Sequence, residues 1–287
     1  MKTLVAPIAL GLLMFSSAAR AQMVDSLAAT SFDYYPSVKS DDLQTEVQIN
    51  VARASVGAPI RLGKDTSLLV GAAYELVDVH SSSDTALQLH APSLTVGVRH
   101  DFSKHWGAIV LGSAGFASDF ADPVGSDDLL LSLTGIVTYA VNDSIKLGAG
   151  AVYDRRTGDL APLPALLLSL RLAERWRIRG FAPVWLNAEY RATDLLDLGL
   201  RATFEGNRFN VGDERFGKNN VELAYSNLTL GPKVTFNFTD WIHLDLYAAG
   251  AVYRRYDLFQ NDDRFARHSL PPGVGYGARF WIAPSGW

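Results

Sequence analysis

Two groups of residues in this chain have the types and spacing to do chemistry: arginines set among carboxylates, and scattered histidines. Arginine outnumbers lysine 19 to 7. Arg171, Arg177, Arg179, Arg191 and Arg201 fall in one stretch, with Glu189, Asp197 and Glu205 close in sequence. A guanidinium stays charged and grips a carboxylate through a planar fork, so such a ladder inside a pore would narrow it and shape its field. The same ladder could instead lock polar side chains together and stiffen a wall.

The histidines are His80, His90, His100, His105, His243 and His268, and no pair has the local spacing of a metal site. His243 and Asp245 share a strand face, an acid beside a base, but a polar strand face carries such groups without any reaction. No G-x-S-x-G elbow occurs. No catalytic residue, metal or cofactor is expected, and an enzyme ranks behind a channel or a structural barrel. The acidic run Gly125 to Asp128 has too few ligands for calcium.

The elements that must position these residues are strands. In "LLDLGLRATFEG", Leu196, Leu198, Leu200, Ala202 and Phe204 alternate with Asp197, Gly199, Arg201, Thr203 and Glu205. Successive strand side chains point to opposite faces, so one face is oily and the other carries acid, base and hydroxyl. The pattern recurs. "LQTEVQINV" sets Val47, Ile49 and Val51 against Glu46, Gln48 and Asn50, and "IHLDLYAAGAV" sets Ile242, Leu244 and Leu246 against His243, Asp245 and Tyr247. "LLVGAAYEL" and "GAIVLGSAGF" are apolar or small on both faces. Dyad segments of about ten residues suit strands that cross a bilayer at a tilt.

Met1 to Gln22 has a basic start at Lys2, an apolar run from Leu4 to Phe15, and Ala19 and Ala21 in an A-x-A arrangement. That is a secretory leader with cleavage expected after Ala21, its apolar run too short to span a membrane. The domain reading is therefore residues 1–21 leader and 22–287 one barrel. Beyond the leader no apolar run reaches the roughly 18 residues of a membrane helix. The formal charge of −4 over 287 residues gives no basic footprint for nucleic acid. With no cysteine, the fold rests on its core or on its hydrogen-bond ladder.

Connections alternate in length. Tight turns are expected at Gly63 to Thr66, Ser103 to His105, Asn142 to Asp143, Ala173 to Arg175, Thr193 to Asp194 and Thr239 to Asp240. Longer polar loops are expected at His80 to Thr85, Ala121 to Asp127, Asp154 to Leu160, Gly206 to Lys218 and Asp257 to Pro271. Short periplasmic turns and long extracellular loops are the asymmetry of outer-membrane barrels. Parity adds a strand at Leu27 to Tyr35 and a tight hairpin near Pro183, giving 14 strands, with 12 as the other solution. Trp106, Trp176 and Trp241 each follow a tight turn, where amphipathic rings would form an aromatic girdle.

The second half also resembles a known family. A proline-marked strand pair around Pro164 and Pro183, the strand "AEYRA", and a glycine-rich strand ending in "YRRYD" resemble bacterial outer-membrane barrels grouped as domain of unknown function 6268. The likeness covers Pro162 to Asp257 best. It implies a barrel in the bacterial outer membrane and brings no known activity or catalytic residue.

The expectation is an all-β, transmembrane antiparallel up-and-down barrel with lipid outside and small solutes inside. It would be a passive, porin-like channel whose polar lumen includes Arg171, Arg177, Arg179, Glu189, Arg191, Asp197, Arg201, Glu205, His243 and Asp245. The alternative is a non-conducting structural or surface-interaction barrel, which a lumen blocked by Arg and Tyr side chains would favour.

Overall fold

A computed structural model describes residues 26–40, 45–82, 86–154, 162–212 and 221–283. The leader, the tip of the loop after Ser82, most of the expected loop at Asp154 to Leu160 and the second part of that at Gly206 to Lys218 lie outside them.

The described chain is almost entirely strand: β1 Ala28–Ser40, β2 Thr45–Arg61, β3 Thr66–Ser81, β4 Leu87–Asp101, β5 Trp106–Phe116, β6 Leu129–Asn142, β7 Ile145–Asp154 and β8 Leu163–Ala173. They continue as β9 Trp176–Ala182, β10 Trp185–Arg191, β11 Leu196–Val211, β12 Val221–Asn237, β13 Ile242–Gln260, β14 Asp263–Ser269 and β15 Gly273–Ile282. Each pairs antiparallel with its chain neighbour from β1 to β14, and β15 bonds both β13 and β1, which closes the ring. β14 and β15 follow one another along β13 and are two halves of one wall strand. The interruption is Leu270-Pro271-Pro272, where proline cannot donate to the ladder. The result is a closed, 14-stranded antiparallel barrel, as the parity argument requires.

The six expected tight turns all lie at one end. The hairpin near Pro183 is present, with a cis Ala182–Pro183 peptide. At the other end two loop expectations are corrected. β11 runs on to Val211, through the first part of the expected Gly206 to Lys218 loop. Asp257 to Pro271 is mostly ladder, because Asn261 and Asp262 take positive φ of 51° and 69° and turn β13 directly into β14.

Wall height is uneven. β2 and β12 have 17 residues each and β13 has 19, whereas β9 and β10 have seven. A tilted strand needs about 9–11 residues to cross the bilayer's apolar layer, so the β9–β10 hairpin is too short to cross it. β10 pairs with β11 only from Asp197 to Thr203. Beyond that point β11 continues to Val211, roughly 26 Å further along the strand. Among the described residues this upper part of β11 is met across the lumen. The chain after β5 turns inward, and Ser118 bridges His90 of β4 on one side and Asn210 of β11 on the other. Four backbone hydrogen bonds make this tie: His90 N to Ser118 O at 2.8 Å, Ser118 N to His90 O at 3.0 Å, Asn210 N to Ala117 O at 2.9 Å and Asp119 N to Asn210 O at 3.2 Å.

Candidate functional site

The inward faces of the tall strands form layers. At the long-loop end Val47, Ile49, Val51, Val77, Leu89, Phe209 and Val211 are buried in one apolar cluster. There the oily face of "LQTEVQINV" points inward, opposite to the lipid-facing sense expected of such faces. Two residues further down the same face the chemistry changes, and Arg53 and Ser55 point in. On the outer face the order reverses, from exposed Glu46 to exposed Val56 and Ile60. One strand is thus soluble-like above and membrane-like below, since each solvent, water or lipid, selects the face turned toward it.

The middle layer is a charge cluster around Arg53, which is 7% exposed. Its Nε donates to Glu75 at 2.8 Å, Nη1 to Asp33 at 2.7 Å and Nη2 to Glu205 at 2.7 Å. Glu75 also accepts from Asn207 Nδ2 at 3.0 Å and from the Tyr225 hydroxyl at 3.1 Å, and Asp33 from the Tyr247 hydroxyl at 2.7 Å. Arg201 lies 3.7 Å from Glu205 and stacks over the Tyr247 ring at 4.3 Å. β15 makes room for these rings with glycine. A Cβ at Gly277 would sit 2.3 Å from Tyr247 Cε2, and one at Gly275 would sit 2.6 Å from Tyr35 Cε1.

A second cluster lies nearer the tight turns. Glu189 takes Lys233 Nζ at 2.5 Å, Arg177 Nη2 at 2.8 Å and Arg179 Nη2 at 3.4 Å. Arg191 stands 4.0 Å from Asp197, which accepts from Asn237 at 3.1 Å. Asp245 accepts from Thr235 at 2.8 Å and from Trp281 Nε1 at 3.2 Å. His243 meets Asn237 Oδ1 at 2.7 Å and the Ala283 carbonyl at 3.3 Å, with its ring stacked on Trp281 at 3.9 Å between centroids. Both of its nitrogens are engaged away from Asp245, so the expected acid and base brace separate partners.

Of the lumen residues expected from sequence, all but Arg171 sit in these clusters; Arg171 is exposed near the tight-turn end. Trp106, Trp176 and Trp241 are at that same end and about half exposed, the first two against Tyr139 and Tyr190. Sequence reasoning missed Asp33, Arg53, Glu75, Tyr225 and Lys233, and it put Tyr247 on the polar face of its strand without naming it among the lumen residues. The signal for Arg53 and Glu75 was available: each is a lone charge in step with an oily face, Ile49-Val51-Arg53 and Ala73-Glu75-Val77.

Little space remains beside these clusters. Cavities of about 20 Å³ by Lys233 and Asp245, and about 10 Å³ by Asp33 and Tyr247, are each near the size of one water. The short-strand side is hollow. A chamber of about 230 Å³ is bounded by β5 to β10, with Ile109, Leu111, Leu167, Phe181 and Trp185 among its apolar walls. A second cavity of about 280 Å³ lies by the Ser103 to His105 turn, and both are lined by Arg99 and Lys146.

Among solved structures, the chain is similar to an outer-membrane channel from Pseudomonas putida F1, at 11% identity and TM-score 0.44, covering 98% of this chain and 100% of the other. It is similar also to the TodX monoaromatic hydrocarbon channel, at 12% identity and TM-score 0.45 over 90% of each chain. A third is the translocator domain of the autotransporter NalP from Neisseria meningitidis, at 11% identity and TM-score 0.41 over 93% of each. No curated protein matches. The family model described as Domain of unknown function (DUF6268) matches residues 22–264, and the chain belongs to that family.

Proposed function

We propose that this protein is a bacterial outer-membrane barrel whose centre is closed, and that its working space is the side chamber behind β5 to β10. The carrying observation is the contrast in free volume: about 10 and 20 Å³ beside the charged clusters against about 230 Å³ in the chamber. A hydrated ion needs a continuous wet path, and the Arg53 and Glu189 clusters fill the place where one would run. The arginine face is then a brace that fixes the wall rather than a selectivity filter. The membrane assignment rests on the exposed outer belt, which includes Val96, Val98, Val110, Leu133, Leu166, Leu198, Leu200 and Leu246, and on the half-exposed tryptophans at the tight-turn end as its girdle. The leader ending at Ala21 supplies the export step. We assign no catalytic role.

Passive passage of small solutes is the second reading. It is favoured by the two larger cavities on one side of the barrel, which have Arg99 and Lys146 in common and reach the tight-turn rim. Planar-bilayer recording from the refolded protein separates the two. A folded barrel without steady current supports the closed centre, and steady conductance that changes selectivity in Arg201→Ala overturns it in favour of a pore tuned by arginine.

A further inference from the structure

We infer that the β5 to β10 chamber binds a small amphipathic carboxylate, apolar body upward and anionic head at Lys146, with access from the lipid side over the short β9–β10 hairpin. This rests on the reading of the chamber as the working space. Three observations on different elements converge on it.

The first is the shape of the wall. β9 and β10 have seven residues each and stop short of a bilayer crossing. The chamber is bounded by the hairpin tip itself: Phe181, Val184 and Trp185 line it, and so do both Leu167 and Leu168, which neighbour each other on β8 and point to opposite faces. The chamber therefore reaches the hairpin tip, where the wall is lowest among the described residues.

The second is the gradient inside. The chamber walls are aliphatic and aromatic at the level of the hairpin, with Ser132, Thr134 and Asp154 above that level and the Ser169 hydroxyl opposite Lys146. Toward the tight turns they become cationic. Arg99 is held by Asp101 at 3.0 Å. Lys146, second residue of β7, is half-buried, and among the described residues it makes no ion pair within 4.0 Å. An ammonium in a mostly apolar cavity is stabilised when an anion joins it.

The third is volume. A cavity of about 150 Å³ accepts benzene. The 230 Å³ here leaves room for a ring with a short acidic arm, or for a medium-length chain with its carboxylate. Trp185, in the lining, supplies an optical reporter.

The test uses the refolded full barrel in detergent, with sodium octanoate and 1-octanol as probes and tryptophan fluorescence as readout. Octanoate is expected to change the emission saturably and to bind at least tenfold more tightly than octanol. Trp185→Phe should remove most of the change. Lys146→Gln should weaken octanoate at least tenfold while octanol is unchanged, and Leu111→Trp, which fills the chamber, should abolish both. Folding of each variant is checked by heat-dependent migration on gels. If Lys146→Gln does not fold, the octanoate preference in the unaltered protein decides the matter alone. Absence of saturable octanoate binding overturns the inference, and so does equal affinity for octanoate and octanol. Conductance of the same preparation is recorded separately, so a barrel that ignores octanoate while carrying no current counts against the ligand and leaves the closed centre standing.

Discussion

Arg53 on β2 and Arg179 on β9 both point arginine into the same barrel, with opposite surroundings. Arg53 meets three carboxylates at 2.7 to 2.8 Å, under a layer of valine, isoleucine and phenylalanine. Arg179 reaches Glu189 at 3.4 Å and borders a 230 Å³ chamber. Strand length accounts for much of the difference. Tall strands bring enough inward residues to stack an apolar layer on a charged one, and the Ser118 tie draws β4 and β11 together above the short strands. Seven-residue strands have no such upper layer, so the space beneath stays hollow. Side-chain type alone therefore does not make a pore lining: the same guanidinium braces a wall where neighbours crowd it and borders a cavity where they do not.

The comparison breaks most sharply at Arg53. Arg53→Met leaves Asp33, Glu75 and Glu205 buried together without their cation, and loss of one partner from such a cluster costs about 3–5 kcal/mol. The urea midpoint of unfolding should fall steeply, with failure to refold as the limit; an unchanged midpoint would mean that the cluster does not hold the filled side. A pair of leucines tests packing next. Leu89→Ala, fully buried in the upper cluster, should cost about 2–5 kcal/mol, whereas Leu167→Ala only enlarges an existing space and should cost under about 1.5 kcal/mol. Equal losses would erase the distinction between the two sides. Gly277→Val drives a side chain into the Tyr247 ring and should cost roughly 1–3 kcal/mol, read in the same assay; Gly135→Val, where an added Cβ meets nothing within 4 Å, should lie near zero. The smallest effect is expected at the tie. Asp128→Ala removes the acceptor of Asn210 Nδ2 at 3.0 Å and should cost about 1 kcal/mol, with faster hydrogen exchange at Ser118 and Asn210 as the local signature.

The strand count and turn end were legible because they follow from parity and local turn chemistry, which one chain carries in order. The lumen face of β11 was legible for a similar reason: Asp197, Arg201, Thr203 and Glu205 alternate cleanly with oily neighbours. The filled centre was not. Arg53 meets Glu205 across 152 positions and Tyr247 meets Asp33 across 214, contacts made by barrel closure and by no local pattern. The polarity reversal in β2 was present in the residues, but an oily face carries no mark of whether lipid or a packed core receives it. The two surroundings that an alternating strand can have both occur here, one above the other.

The backbone tie at Ser118 has a consequence for how such a wall could change over generations. Because β4 and β11 are already stitched together at the long-loop end, the six strands between them hang from the frame like a pouch sewn to a rim. Lengthening or shortening the β9–β10 hairpin would resize the pouch without reopening the rim. Descendants of this barrel could thus vary what the pouch holds while inheriting the same frame.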